Sequence, residues 1–584
     1  MLRAQVRLKP SLPVPRLSAK RISLADGCEL LSNNITIKPE GAVDFGWLVN
    51  KRAAAVVGPP GTGKTSALLR LASSGIFECC GVSISLELRP EVLYLAFNRS
   101  AAEDAEARAG KDADLHTATI HAAGARALAA RLGLKVSEVL INLRRAPGGR
   151  ICGSYELCSG GECLGVEESI EVLRRCVAKN RGLMYSSDPF IPAAGNRLFG
   201  LLDYAQHAAP RTGVKQLMEQ LPASCAAAVS DYLALLRELG RHDFTTSLAE
   251  AARLCIPYTV SDGGSVLKVG TAFIDESQDL SPLMWKFLSC ALADAREVVF
   301  ALDFYQTVYN ALHGADMRYG RELLDAVRSY SGTVVYLERS KRVVSRVAEV
   351  AKKVLPDPDP NYVKWQGRAD AEGDVYVLTA VEMFRRVKSL LSEGKVIFVL
   401  APTNVDVLWT AAGFLMWGLI PRGLKDMPSA VCRRILAARD LACIRARLVQ
   451  TANLPQGDAV ALKLIQALRD KFKYAQLGDW PVDVLVCHYL NKAARALKCG
   501  GVLQLPAPVG VPDPPQLYVD TPYTAKGLEA DAVFVVDRLS FDVRPSPLAL
   551  YVALTRSRGN VYIVKAPGKK SWVPPEVYKE ARRT

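Results

Sequence analysis

Residues 53–72 read AAAVVGPPGTGKTSALLRLA. A short apolar run ends at Gly58, the loop Gly58-Pro59-Pro60-Gly61-Thr62-Gly63-Lys64-Thr65 follows, and from Ser66 the residues favour a helix. That order of strand, glycine-rich loop and helix is what a phosphate-binding loop requires. Its glycines let backbone N–H groups turn inward around phosphate oxygens, at the positive end of the next helix. Lys64 is spaced to reach the outer phosphates of a nucleotide, and the Thr65 hydroxyl to hold magnesium. The fold this implies is α/β, built on a parallel sheet.

Working outward, the next informative stretch is FIDESQDLSP at 273–282, where the apolar run KVGTAFI delivers the chain to two adjacent acids. Asp275 at a strand end would hold the magnesium and Glu276 would polarise an attacking water. Lys64 and Asp275 are 211 positions apart. A compact nucleotide-binding core needs far fewer, so a further unit is inserted between them.

The whole chain fits this reading. Its 584 residues exceed one hydrophobic core and predict several domains. Hydrophobic residues at 49% and charged residues at 23% describe a globular protein. No apolar run approaches the roughly 18 residues of a membrane span. The N-terminus (MLRAQVRLKPSLPVPRLSAKR) has no acid before Asp26, but its early prolines spoil an amphipathic targeting helix. We expect a cytoplasmic protein. A net charge of +15 and a pI near 9.1 favour polyanionic partners.

Seven further blocks carry a family resemblance. Asp-Glu-Ser-Gln-Asp at 275–279 resembles motif II of the UvrD/Rep/PcrA-type superfamily 1 helicases. LAFNRSAAEDAEAR (95–108) and TIHAAGARAL (119–128) resemble motifs Ia and Ib. ALDFYQTVY (301–309), LERSKR (337–342), TPYTAKGLEAD (521–531) and YVALTRSR (551–558) resemble motifs III to VI, in family order. The resemblance implies two RecA-like cores, each with a mainly helical insertion, and ATP with Mg2+ held between them. It assigns γ-phosphate sensing to Gln278 and Gln306 and arginine-finger roles to Arg342 and Arg556. Ser66 and Glu529 join the nucleotide-binding set. For nucleic acid it points to Phe97 as a stacking platform, with Arg99, Thr119, His121 and Tyr523 as further contacts. The implied activity is ATP-dependent 3′-to-5′ movement on single-stranded DNA, with tailed duplex as substrate, RNA a possible strand and DNA repair a setting. The alternatives are a nucleic-acid-gated ATPase switch without processive unwinding, and a 5′-to-3′ relative, which GPPGTGKT resembles more closely.

The chain departs from the family in places. Lys341 stands where motif IV has an adenine-stacking aromatic, and no clear Q motif precedes the phosphate loop. Ala311 replaces a motif III aromatic, in a spacing one residue longer.

The expected domains are core 1 at 1–123 and 251–330, interrupted by 124–250, and core 2 at 331–424 and 512–584, interrupted by 425–511. The first insertion is nearly neutral, at +2. The second carries +7 in 87 residues and includes VCRRILAARDLACIRARLV (431–449), which reads as a helix bearing Arg433, Arg434, Arg439, Arg445 and Arg447. Such a helix is either a duplex-contacting face or a solvated one. Cys152, Cys158, Cys163 and Cys176 lack a C-x-x-C pair; they could hold zinc or an iron–sulfur cluster, form a disulfide, or stay free.

Overall fold

The computed structural model describes residues 37–109, 115–145, 155–163, 193–308, 314–424, 435–442, 459–474, 482–499, 514–539, 545–565 and 570–583, short gaps within these ranges apart. The basic stretch 1–21 and Ala311 lie outside them.

Two six-stranded parallel sheets organise the chain. The first contains β1 (Arg52–Val57), β2 (Val92–Ala96), β3 (Leu115–Thr119), β4 (Thr271–Ile274), β5 (Glu297–Leu302) and β6 (Thr333–Tyr336). Their order across the sheet is β6-β1-β5-β4-β2-β3. Register pairs such as Ala55 with Phe300 and Phe273 with Val299 run parallel throughout. β1, β2, β4 and β5 are apolar runs rather than alternating ones, because helices cover both faces of a parallel sheet. β2, β4 and β5 are buried along their whole length.

The sequence reading ended the first core at residue 330, whereas β6 pairs with β1 beyond that point, Ala55 opposite Val334. After β6 the strand β7 (Arg339–Val344) leaves the sheet and pairs with Gln366–Arg368. The second sheet holds β8 (Val375–Thr379), β9 (Ile397–Leu400), β10 (Leu517–Asp520), β11 (Ala532–Asp537), β12 (Val561–Lys565) and β13 (Arg582–Arg583), in the order β10-β9-β11-β12-β8-β13. These are two RecA-like cores.

The helices that frame the site have local causes. α1 (Lys64–Ser74) opens from Gly63, held at φ 97, and closes on Gly75 at φ 71. Thr119 caps α2 (Ile120–Leu132) by accepting from the Ala122 amide at 3.2 Å. Helices α3 (Ala193–Ala208), Gly213–Gln220 and Ala223–Glu238 follow in the first insertion, together with a small three-stranded antiparallel sheet. α4 (Phe244–Arg253) returns the chain to the core. α5 (Pro282–Ala291) has Ser281 as its cap and a proline in its first turn. In the second core, α6 (Pro522–Ala525) follows β10 and α7 (Pro547–Leu554) precedes β12.

Of the five arginines read on 431–449, Arg439 alone is described. It is 5% exposed and bonds Asp440, so it is not part of a solvated basic face. Its neighbours Ile435, Leu436 and Ala438 are buried with it.

Cys255 and Cys290 form a disulfide between the end of α4 and α5, with Cα atoms 4.9 Å apart. Cys487 and Cys499 are disulfide-bonded as well. The linear sequence gave no sign of this pairing, since 35 residues separate Cys255 from Cys290.

One apolar cluster runs through both cores. Tyr305, just after β5, meets Tyr362 at 4.6 Å and Tyr551 of α7 at 6.2 Å, and Trp365 meets Tyr551 at 6.1 Å. Beneath the first sheet Trp285 packs edge-on against Phe45 at 5.0 Å and lies 6.0 Å from Phe300. Trp285 is 1% exposed. Trp285→Ala should therefore lower unfolding free energy by about 3–5 kcal/mol, read by denaturant titration.

Candidate nucleotide site between the cores

β1, β5 and β4 are neighbours, so the loops after them leave the same C-terminal edge of the sheet. That edge is where open parallel sheets bind ligands. The Gly58–Thr65 loop turns through Gly61 at φ 74 and Gly63 at φ 97, both in the region that favours glycine. Lys64, 7% exposed, donates to the Gly58 carbonyl at 2.8 Å and the Pro59 carbonyl at 3.3 Å. Its Nζ is 4.0 Å from Asp303.

The loop after β4 docks on this one. Thr65 Oγ1 donates to Asp275 Oδ2 at 2.7 Å, and the Tyr94 hydroxyl donates to the same oxygen at 2.7 Å. The Glu276 amide donates to Asp275 Oδ1 at 2.9 Å. Glu276 itself sits at φ 53, strained for a residue with a side chain. Burial and the adjacent Glu276 raise Asp275 above the usual carboxylate range. Burial would raise Glu276 too, but the Lys526 and Lys64 ammonium groups overrule it and hold that carboxyl at about 2.

The loop after β5 completes the first core's share. Asp303 is fully buried and raised by burial, with Lys64 opposing. It accepts from Gln306 Nε2 at 2.6 Å and from the Tyr362 hydroxyl at 2.8 Å. The Asp303 amide donates to Gln278 Oε1 at 3.0 Å, while Gln278 Nε2 donates to Glu276 Oε2. Both predicted sensor glutamines thus join one network.

The second core meets this network directly. Arg556, 1% exposed, donates from Nη2 to Gln306 Oε1 at 2.9 Å. Its remaining N–H groups reach the Val552 carbonyl at 3.1 Å and the Leu528 carbonyl at 3.3 Å. Burial, with Arg342 adding repulsion, lowers its guanidinium to about 9, still charged at neutral pH. Arg342 pairs with Glu529, which also pairs with Arg558.

β7 presses on the phosphate loop from the far side. Lys341 N donates to the Gly61 carbonyl at 2.8 Å and Ser340 Oγ to the Pro60 carbonyl at 3.0 Å. The Lys341 side chain is exposed, so at this position an aliphatic cation replaces a flat ring.

Sequence reasoning missed four participants. Tyr94 and Asp303 were not singled out, and Asp279 was read only as the end of motif II. Lys526 was read only as part of a motif. In the structure the Lys526 ammonium bonds Asp279 Oδ2 and the Gln306 carbonyl at 2.7 Å, and lies 3.3 Å from Glu276 Oε2. Burial pushes Asp279 up, with Lys526 opposing.

The residues predicted for nucleic acid are less uniform. Phe97 follows β2 and is half-buried against the core. Arg99 is exposed and paired with Glu103 at 2.7 Å. Thr119 is spent on capping α2. His121 Nε2 lies 3.3 Å from His207 Nε2 of α3, and His207 Nδ1 is 2.8 Å from Ser281 Oγ. Tyr523, on α6, is half-buried. Cys158 and Cys163 are register partners on two antiparallel strands, while Cys152 and Cys176 lie outside the described residues. Among the described residues no group of three His, Cys, Asp or Glu could hold a metal ion, and no helix is long and apolar enough to cross a membrane.

An AAA domain family matches residues 45–312, and the UvrD-like helicase C-terminal domain family matches 516–564. Together the two matches support a place among the UvrD-like superfamily 1 helicases. Similar solved structures include Arterivirus nonstructural protein 10 (helicase) in complex with DNA, at 9% identity and a TM-score of 0.30, covering 90% of this chain and 63% of that one. The same helicase without DNA matches at 9% identity and 0.31, covering 89% of this chain and 61% of that one. This chain thus spans less than two thirds of either. No curated protein matches its sequence.

Gly61 allows the two cores to touch. A Cβ there would stand 2.5 Å from Arg342 Cβ and 2.7 Å from Ser340 Oγ, on a backbone at φ 74. Gly61→Ala should push Arg342 off its position and lower kcat about tenfold or more at saturating ATP, checked by steady-state hydrolysis.

Proposed function

We propose that this helicase hydrolyses ATP between its two cores to move 3′ to 5′ along single-stranded DNA and separate tailed duplex. The observation that carries the reading is the bond from Arg556 of the second core to Gln306 of the first. A buried guanidinium on that glutamine, beside Lys64 and the Asp275–Glu276 pair, is placed where charge grows on a transferring phosphoryl group. The direction of movement rests on the likeness of motifs II, III and V to the UvrD type.

In this reading the phosphate loop and Ser66 cradle the nucleotide, with Lys64 on its outer phosphates and Glu529 beside it. Thr65 and Asp275 offer two hard oxygens 2.7 Å apart, a donor set that fits Mg2+. When bound, that ion would supply positive charge at the phosphates. Glu276, kept ionised, orients the attacking water and takes its proton. Gln278 and Gln306 link the γ-phosphate position to Glu276 and to Arg556, while Arg342 and Arg556 stabilise the charge that leaves. Phe97 at the end of β2 supports a stacked base, with Arg99, Thr119, His121 and Tyr523 as further contacts.

Glu276→Gln should retain ATP binding, since the phosphate ligands stay, and lose nearly all turnover, since a neutral amide takes no proton. Near-normal hydrolysis would refute the assignment. Unwinding of 3′-tailed against 5′-tailed duplex by the unaltered protein tests the direction; preference for the 5′ tail would reverse it.

A further inference from the structure

After α1 the chain makes a small antiparallel hairpin, Ile76–Cys79 with Val82–Ser85. Cys79 stands opposite Val82, so the turn is the two-residue loop Cys80-Gly81. Both loop residues have positive φ, 56 at Cys80 and 77 at Gly81, as in a type I′ turn. That turn favours Asn or Asp before its glycine, and a cysteine there is strained. Successive side chains of a strand point to opposite faces. The left-handed residue breaks that alternation, and the two sulfurs come to lie 2.8 Å apart. Both are free thiols, Cys80 exposed and Cys79 half-buried.

The hairpin also reaches the phosphate loop. Cys79 packs against the apolar cluster that holds Leu68 and Leu71 of α1, Ile84 of the hairpin and Leu337. Leu337 donates its amide to the Val57 carbonyl at 2.8 Å, and a Cβ on Gly58 would stand 3.0 Å from Leu337 Cβ. Cys79 lies within reach of the charges of Glu338 and Lys341. Lys341 N is the group bonded to the Gly61 carbonyl. Segment 337–341 thus has the two thiols on one side and the phosphate loop on the other. Burial, reinforced by Cys80, pushes the Cys79 thiol up to about 11, so it keeps its proton at neutral pH. The exposed Cys80 is the sulfur that meets a reagent first.

We propose that Cys79 and Cys80 are a redox modification site, closed by a low-molecular-weight disulfide into a readily reversed Cys79–Cys80 disulfide that weakens ATP binding. The Cys80 sulfur attacks one sulfur of the oxidant, whose S–S bond breaks; the first half leaves as a thiol with the Cys80 proton. The Cys79 sulfur then attacks the Cys80 sulfur and displaces the second half, which leaves as a thiol with the Cys79 proton. Two thiols are oxidised and one disulfide is reduced. Cα atoms joined by a trans peptide are about 3.8 Å apart, whereas disulfides favour about 4.4–6.8 Å, so this bond is strained and easily reduced. Cys255 and Cys290, at 4.9 Å, lie within the favoured range. Drawing Cys79 toward Cys80 withdraws its sulfur from the cluster around Leu337 and loosens the segment that braces Gly58 and Gly61. The effect on ATP rests on the proposed function; formation of the bond does not.

The test treats the full chain with oxidised glutathione and weighs the tryptic peptide between Arg70 and Arg99, which holds no other cysteine. That peptide should become lighter by two hydrogen atoms and regain them in excess reduced glutathione. A peptide that carries glutathione instead, or that stays fully reduced, would overturn the site. In parallel the KM for ATP should rise about fivefold, the low end of what coupling between sites spans, and recover on reduction. The Cys79→Ser, Cys80→Ser double variant should show no such rise, which separates this site from the remaining cysteines. A KM that rises equally in the double variant, or that stays unchanged while the peptide is oxidised, would overturn the link to the phosphate loop. If the reduced chain hydrolyses no ATP, the functional reading falls, and the peptide's mass still decides the site.

Discussion

The structure depends on how a buried arginine is satisfied. Arg556 lies buried between two α/β cores, and burial takes its guanidinium away from bulk water. Its N–H groups find the Val552 and Leu528 carbonyls in its own core and Gln306 in the other. The last bond holds the segment between α7 and β12 of the second core against the loop after β5 of the first. The Tyr305, Tyr362, Trp365 and Tyr551 cluster holds them so, with Tyr362 anchoring Asp303 at 2.8 Å. The nucleotide site proposed at this junction would make hydrolysis depend on cleft geometry.

Much of this was legible in the chain. The phosphate loop declares itself because its chemistry demands glycines, a lysine and a hydroxyl at fixed offsets, and Asp275-Glu276 because a core strand seldom ends in two acids. Partners chosen by three-dimensional proximity were not legible. Tyr94 serves Asp275 only because β2 lies beside β4, and Cys255 reaches Cys290 only because α4 packs on α5. Arg439 was read from charge spacing as surface, whereas the buried residues beside it set its place. The boundary near 330 failed for a similar reason. β6 is a short strand whose sheet cannot be told from its own residues, and only its pairing with β1 assigns it.

The departures from the family pattern have a physical form here. Lys341 gives the phosphate loop a backbone bond rather than a ring, and Ser340 adds a second tie at Pro60. The first core's strand face is knitted into the protein by Thr119 as a helix cap and by the His121–His207–Ser281 chain to the first insertion. His121, proposed as a strand contact, is thus also a contact to the first insertion.

In the proposed reaction the second core contributes charge rather than affinity for the nucleotide. The direct measurement compares Arg556→Ala with the unaltered chain in two assays: equilibrium binding of a non-hydrolysable ATP analogue, and single-turnover hydrolysis. Binding should stay within about tenfold while the hydrolysis rate falls roughly 10³–10⁵-fold, the range that arginine fingers supply. Hydrolysis that survives the substitution, or binding and hydrolysis lost in equal proportion, would contradict it.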